Sequence, residues 1–249
     1  MKFKRLLSSS LLISSLILSL PFAASAKNPV KQDFDYVALG DSLAAGQTPY
    51  RELKDGYADF LADRFAQSQY NIELDNFGVS GYRTTNILIE LTNPANQKYA
   101  SLRESIKEAE LVTIDIGAND LLGNLPRIQQ NPSLAPGVIQ SIGGNLQAIL
   151  MQIDMIKPGT KVYVMGYYNP FPHRSNQELA VLLPLLSSLN QVIESVALAN
   201  GDVFVPTADL IKKYETQYVP NPADIHLSQE GYEAIAKEFW KTYLKTRNS

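Results

Sequence analysis

The chain has 249 residues and a formal charge of −3, with 22 basic and 25 acidic side chains, two histidines and no cysteine. The acidic balance argues against nucleic acid or an anionic membrane surface as the main partner. The lack of cysteine excludes disulfides, thiolate metal sites and a cysteine nucleophile, and the length suits one domain with a sizeable core.

The chain opens on a basic start, Met1-Lys2-Phe3-Lys4-Arg5, followed by an apolar run over residues 6–22 and the small residues Ala24-Ser25-Ala26. This is the pattern of an export signal over residues 1–26, cut after Ala26. The rival is an uncleaved membrane anchor. Serines within the run and Pro21 weigh against it, so no stable membrane insertion is expected after cleavage. The leader carries only basic charge, so the remaining chain, residues 27–249, is more acidic still. Residues 27–33 read as a polar lead-in, loose at its start.

Short apolar runs at residues 36–39, 72–77, 111–116, 161–165 and 203–205 read as five strands. Most are rich in Val and Ile and closed by Gly or Pro, as strands buried on both faces should be. Helical periodicity fills the intervals at residues 57–67, 85–91, 98–109, 138–156, 179–199 and 229–244. Pro184 should kink or break the fifth of these. Residues 126–136, rich in Asn, Pro and Gln, read as a surface loop. Strands alternating with helices imply βαβ units, a parallel sheet and helices on both faces.

Four short segments follow strand-like runs or precede the last helix. In a parallel sheet the C-terminal strand ends share one edge, where ligand crevices form. Gly40-Asp41-Ser42-Leu43 follows the first run and offers Ser42 as a nucleophile, at a turn that would lead on into a helix. A serine hydroxyl is weak at neutral pH and needs an adjacent base. Only His173 and His226 can supply it. His173 lies in a Pro-rich loop after the fourth strand; His226 stands in Asp224-Ile225-His226, just before the last helix. Gly81 and Asn119, with the Ser42 N–H, are candidate donors to a tetrahedral oxyanion. Gly81 also reads as an ordinary turn glycine, and Asn119 as a cap on the following turn. Asp120 supports its loop. Asp224 could fix an imidazole tautomer, as a carboxylate does in a serine–histidine relay. Asp115 sits inside a buried strand and needs a partner that the sequence does not name. Tyr167, Phe171 and His173 follow the fourth strand and are expected to shape a substrate pocket on the same rim. Two histidines far apart, with no cysteine, make a poor metal site.

At these residues the chain resembles the GDSL esterase/lipase family, the SGNH hydrolases. The four name-giving positions correspond to Ser42, Gly81, Asn119 in Gly-Ala-Asn-Asp, and His226, in the family's order and over most of the chain after residue 26. The resemblance implies a flavodoxin-like three-layer α/β/α sandwich with a central parallel five-stranded sheet, a flexible serine site and no cofactor. It implies His226 as the base and hydrolysis of esters, acyl or acetyl, of lipids, sugars or small alcohols. The expected partner is therefore a small-molecule or lipid ester. There is one departure. The family commonly has Asp three residues before the histidine, where this chain has Ala223; the acid, Asp224, stands two before. Either Asp224 reaches the ring from a bent loop or a backbone carbonyl orients it. The rival functions are an O-deacetylase acting on cell-wall or other carbohydrate, and a non-catalytic binding protein on the same fold.

Overall fold

A computed structural model describes residues 31–93 and 95–247 of the chain. The expected export signal and its cleavage point lie outside them. From Lys31 onward the chain packs as one unit.

Five strands form a single sheet: β1 (Gln32–Gly40), β2 (Tyr70–Gly78), β3 (Leu111–Asp115), β4 (Val162–Met165) and β5 (Val203–Val205). The order is β2-β1-β3-β4-β5, and every neighbouring pair is parallel. This is the flavodoxin-like order, whose switch point lies between β1 and β3. Gly40 is paired with Gly78 on one side and Asp115 on the other, so the ends of three strands meet at that point. β3 and β4 are buried along their whole length, which is why their sequences are mostly apolar, with Thr113 and Asp115 the buried polar exceptions in β3. β1 begins earlier than its apolar run does. Gln32 and Asp33 already pair with Tyr70 and Asn71, and the Asn71 amide donates to Asp33 Oδ1 at 2.7 Å. The polar lead-in thus ends inside the sheet.

Nine helices flank the sheet among the described residues: α1 (Tyr57–Gln67), α2 (Thr84–Thr92), α3 (Ala100–Glu108), α4 (Ala118–Gln130), α5 (Ala135–Ile156), α6 (Asn176–Ala199), α7 (Ala208–Lys212), α8 (Glu215–Tyr218) and α9 (Gln229–Arg247). α1 packs with α9 in one layer; α5 packs with α2, α4 and α6 in the other. The α1–α9 layer is closed by aromatic rings. Phe34 and Phe65 stack at 4.6 Å, Phe65 meets Trp240 edge-on at 4.9 Å, and Tyr57 stacks on Phe239 at 4.8 Å. In α5 the stripe Ile142, Leu146, Ile149, Leu150 and Ile153 is buried against the sheet, a three- and four-residue spacing that keeps one face inward.

Two sequence expectations need correction. Residues 126–136 are not a loop. α4 continues through Pro126 to Gln130, a 3-10 turn covers Pro132–Leu134, and α5 starts at Ala135. Pro184 does not break α6, which runs through it. Both prolines lie on exposed positions, so a carbonyl that loses its intrahelical N–H partner can turn to water.

Candidate active site

The first turn leaves β1 at Gly40. A side chain could not fit there: a Cβ would stand 2.6 Å from Asp115 Cγ and 2.8 Å from Asp115 O. Asp41 then folds back, its Oδ1 accepting the Leu43 N–H at 3.0 Å, the local pattern of an Asx turn. The turn holds Ser42 almost wholly buried. It does not lead directly into a helix as expected. Gln47 N–H returns to Ser42 O at 2.9 Å, Gln47 bridges to Leu53, and α1 starts only at Tyr57.

His226 reaches this serine from the far end of the chain. Its Nε2 lies 2.8 Å from Ser42 Oγ, across 184 residues of sequence. Its Nδ1 lies 2.6 Å from Asp224 Oδ1, and the same oxygen accepts the His226 backbone N–H at 2.9 Å. That double contact answers the question raised by the short spacing. The Asp224 carboxylate curls back over its own loop, so two residues suffice to reach the ring. The loop is pinned from outside: Asn221 donates to Pro49 O at 2.7 Å and Tyr168 OH to Ile225 O at 2.9 Å. With Nδ1–H given to Asp224, the Nε2 lone pair is left to accept the Ser42 hydroxyl hydrogen.

Gly81 and Asn119 come from neighbouring turns that are tied together. Gly81 has φ +83°, a left-handed conformation that costs a side chain strain. Asn119 Nδ2 donates one hydrogen to Tyr82 O at 3.0 Å; an amide has two, so one remains for a ligand. Asp120, the next residue, accepts from both Thr84 N–H (2.9 Å) and Thr84 Oγ1 (2.7 Å), which caps α2 and fixes the Gly81 turn to the start of α4. Ala118 and Asn119, at the partly positive N-terminus of α4, face the same cleft as Ser42 and His226. Gly81 is not among that cleft's lining residues.

Asp115 finds its partner directly beneath the serine turn. It hydrogen-bonds the Asp41 carboxyl, accepts Tyr57 OH at 2.7 Å, and receives the Asp41 N–H at 3.2 Å. Burial and the Asp41 charge push the Asp115 carboxyl well above its ordinary value. Burial raises Asp41 too, but hydrogen bonds from Asp115, the Leu43 N–H and Tyr167 counter it. Sharing one buried site, the two carboxyls resist carrying two charges, and Asp115 is the one held higher.

The cleft beside Ser42 encloses about 730 Å³, its open mouth included. Its walls are apolar: Leu121, Leu122 and Leu125 from α4, and Leu182, Leu186 and Leu189 from α6. Tyr167 and Phe171 line it as expected. Tyr167 also donates its hydroxyl to Asp41 Oδ2 at 3.1 Å. His173 does not line it; the ring is turned away, with Nε2 2.8 Å from Val219 O. The leucines were not singled out from the sequence. The available signal was α6 itself, whose Val181-Leu182-Leu183 and Leu185-Leu186 leave no polar face, whereas a core helix needs only one apolar stripe. No group of three or more His, Asp or Glu side chains among the described residues could hold a metal ion.

A buried serine hydroxyl, an imidazole within hydrogen-bond reach of it and a carboxylate behind the imidazole define a serine hydrolase. Residues 38–234 match the GDSL-like lipase/acylhydrolase family, and the chain belongs to it. It is thus a carboxylic ester hydrolase of that family. Solved structures with the same fold include the lipase Lip_vut3 from a goat rumen metagenome, 25% identical, covering 85% of this chain and 97% of that one, with a TM-score of 0.71. The esterase EstA from Pseudoalteromonas sp. is 19% identical over 86% of this chain and 98% of its own, with a TM-score of 0.57. Axe2, an acetylxylan esterase from Geobacillus stearothermophilus, is 14% identical over 86% and 95%, with a TM-score of 0.59. No curated protein matches the chain.

Proposed function

We propose that this chain is an exported esterase that cleaves esters of apolar acyl groups through an acyl-enzyme on Ser42. The observation that carries the reading is the contact run Asp224–His226–Ser42, at 2.6 and 2.8 Å, opening into a leucine-lined cleft. His226 Nε2 takes the Ser42 proton as Oγ attacks the ester carbonyl. The Ser42 N–H, the Gly81 N–H and the free Asn119 amide hydrogen hold the oxyanion; a fixed donor of this kind is worth roughly 10²–10³ in rate. His226 then protonates the leaving alcohol. Water repeats the cycle on the acyl-serine, releasing the acid. Asp224 holds the tautomer and stabilises the imidazolium. Export rests on the basic, apolar and small-residue pattern of residues 1–26.

The apolar walls favour this reading over a carbohydrate O-deacetylase, because an acetyl group needs no leucine channel and a glycan would want polar partners. The test is Ser42→Ala assayed on a chromogenic butyryl ester, with circular dichroism as a folding check. Turnover should fall by about 10⁴ or more. A folded variant with wild-type turnover overturns the nucleophile. Faster acetate release from acetylated glycan than hydrolysis of the butyryl ester overturns the substrate class.

A further inference from the structure

The cleft beside Ser42 does not end at its own walls. A second groove, about 1610 Å³ with its open mouth, lies between the end of α4, the start of α5 and the first turns of α6. Leu125, Phe171, Leu182 and Leu185 line both spaces. Each is only half-buried. Beyond them the groove floor is still apolar, with Ile128 and the exposed Val181. Leu121, Leu125 and Ile128 follow one face of α4, at spacings of four and three, from the first space into the second. The far rim is polar: Arg174 pairs with Glu178 at 3.1 Å, and its guanidinium lies 5.8 Å from the Phe171 ring centre. α6 has an eighteen-residue window of mean hydropathy 1.5, of which only 11% is buried. A helix that apolar needs something other than the protein core to cover it.

We propose that Leu125, Phe171, Leu182 and Leu185 form a threshold over which a long acyl chain passes from the catalytic cleft into the second groove, so that they set chain-length preference. This rests on Ser42 acting as the nucleophile. The side of the ester is fixed by proton transfer. The leaving alcohol must depart toward His226 Nε2, which protonates it. Asn119 holds the carbonyl oxygen, and the acyl chain, pointing away from His226, meets the α4 leucines that line the same cleft from Leu121 onward. The occupant of the groove is therefore the acyl tail, and the polar rim marks where it ends.

The experiment compares kcat/KM for nitrophenyl acetate, butyrate, octanoate and decanoate. The proteins are wild type, Leu125→Trp, which fills the threshold, and Val181→Asp, which puts a charge in the outer groove at a position exposed enough to leave folding intact. Wild type should gain with chain length up to about fourfold per methylene, the equivalent of about 0.8 kcal/mol. Leu125→Trp should lose about tenfold or more on octanoate and decanoate relative to its own rate on acetate. Val181→Asp should lose on decanoate only. A second series varies the alcohol of acetyl esters. A flat wild-type profile, or Val181→Asp and Leu125→Trp profiles parallel to wild type, overturns the threshold. Changes confined to the alcohol series overturn the acyl assignment. In each of these cases an inactive Ser42→Ala shows that the nucleophile stands, whereas an active one removes the premise itself.

Discussion

The two helical layers use the same kind of residue to opposite ends. Against the outer half of β1, the α1–α9 layer spends its aromatic rings on one another: Phe34, Phe65, Tyr70, Trp240 and Tyr243 interlock, and Phe65 is fully buried. Across the sheet, the α4–α6 layer leaves leucines half-covered around a cleft, with Val181 and Leu183 in solvent. The first layer leads back to His226, which stands just before α9, and the second begins with Ala118 and Asn119 at the start of α4. Ser42 lies between them at the sheet's switch point. Apolar side chains thus close the fold where they find each other, and line an open cleft where they do not.

The division can be broken from either side. The largest effect is expected from the closed layer's catalytic loop. Asp224→Asn keeps the shape of the relay but removes the charge behind the ring, and kcat should fall by about 10³–10⁴ with little change in KM. A loss below about tenfold in steady-state kinetics would assign the ring's orientation to the backbone instead. Next comes the aromatic cluster. Phe65→Ala should cost about 3–5 kcal/mol of stability in denaturant unfolding, leaving the chain-length profile unchanged in the protein that remains folded. Leu182→Ala, on the open side, should cost under about 2 kcal/mol because the side chain is already half out of the core. Equal costs for the two would erase the distinction between the layers.

The smallest effect sharpens the meeting point. Burial and the Asp41 charge hold the Asp115 carboxyl of the folded protein above the ordinary value of 3.8, so it gives up its proton at higher pH than in the unfolded chain. Folding therefore takes up a proton, and this group's contribution to stability is lost as pH rises above that value. Asp115→Asn carries no such proton. Its melting temperature relative to wild type should rise in the variant's favour from pH 4 to pH 8, whatever the constant offset between them. A difference moving the other way would mean that Asp115 is charged in the fold.

Much of this was legible in the sequence, and for identifiable reasons. β3, β4 and β5 could be read as strands because a parallel strand buried on both faces is dominated by apolar residues. Ser42 and His226 could be read as a candidate pair because each falls on a turn or loop near an element's end. Three helices and a partnership were hidden. α4 was obscured by Pro126 and its Asn- and Gln-rich surroundings, although an exposed proline leaves a helix intact when water serves the orphaned carbonyl. The short α7 and α8 were lost among polar residues, since one turn leaves no period to detect. The bond between Asp115 and Asp41 spans β3 and β1 and exists only once those strands pair. The leucine cleft was invisible for a further reason: periodicity marks an apolar face but not what will cover it.

The central claim is that Ser42 Oγ is the atom made nucleophilic by His226. An organophosphonate ester that reacts with activated serines tests it directly, with peptide mass spectrometry to locate the adduct and residual activity to follow it. The account predicts one adduct, on Ser42, formed in step with the loss of esterase activity and absent from folded His226→Gln. Full inactivation with the adduct on another residue, or undiminished hydrolysis by protein fully modified at Ser42, would contradict it.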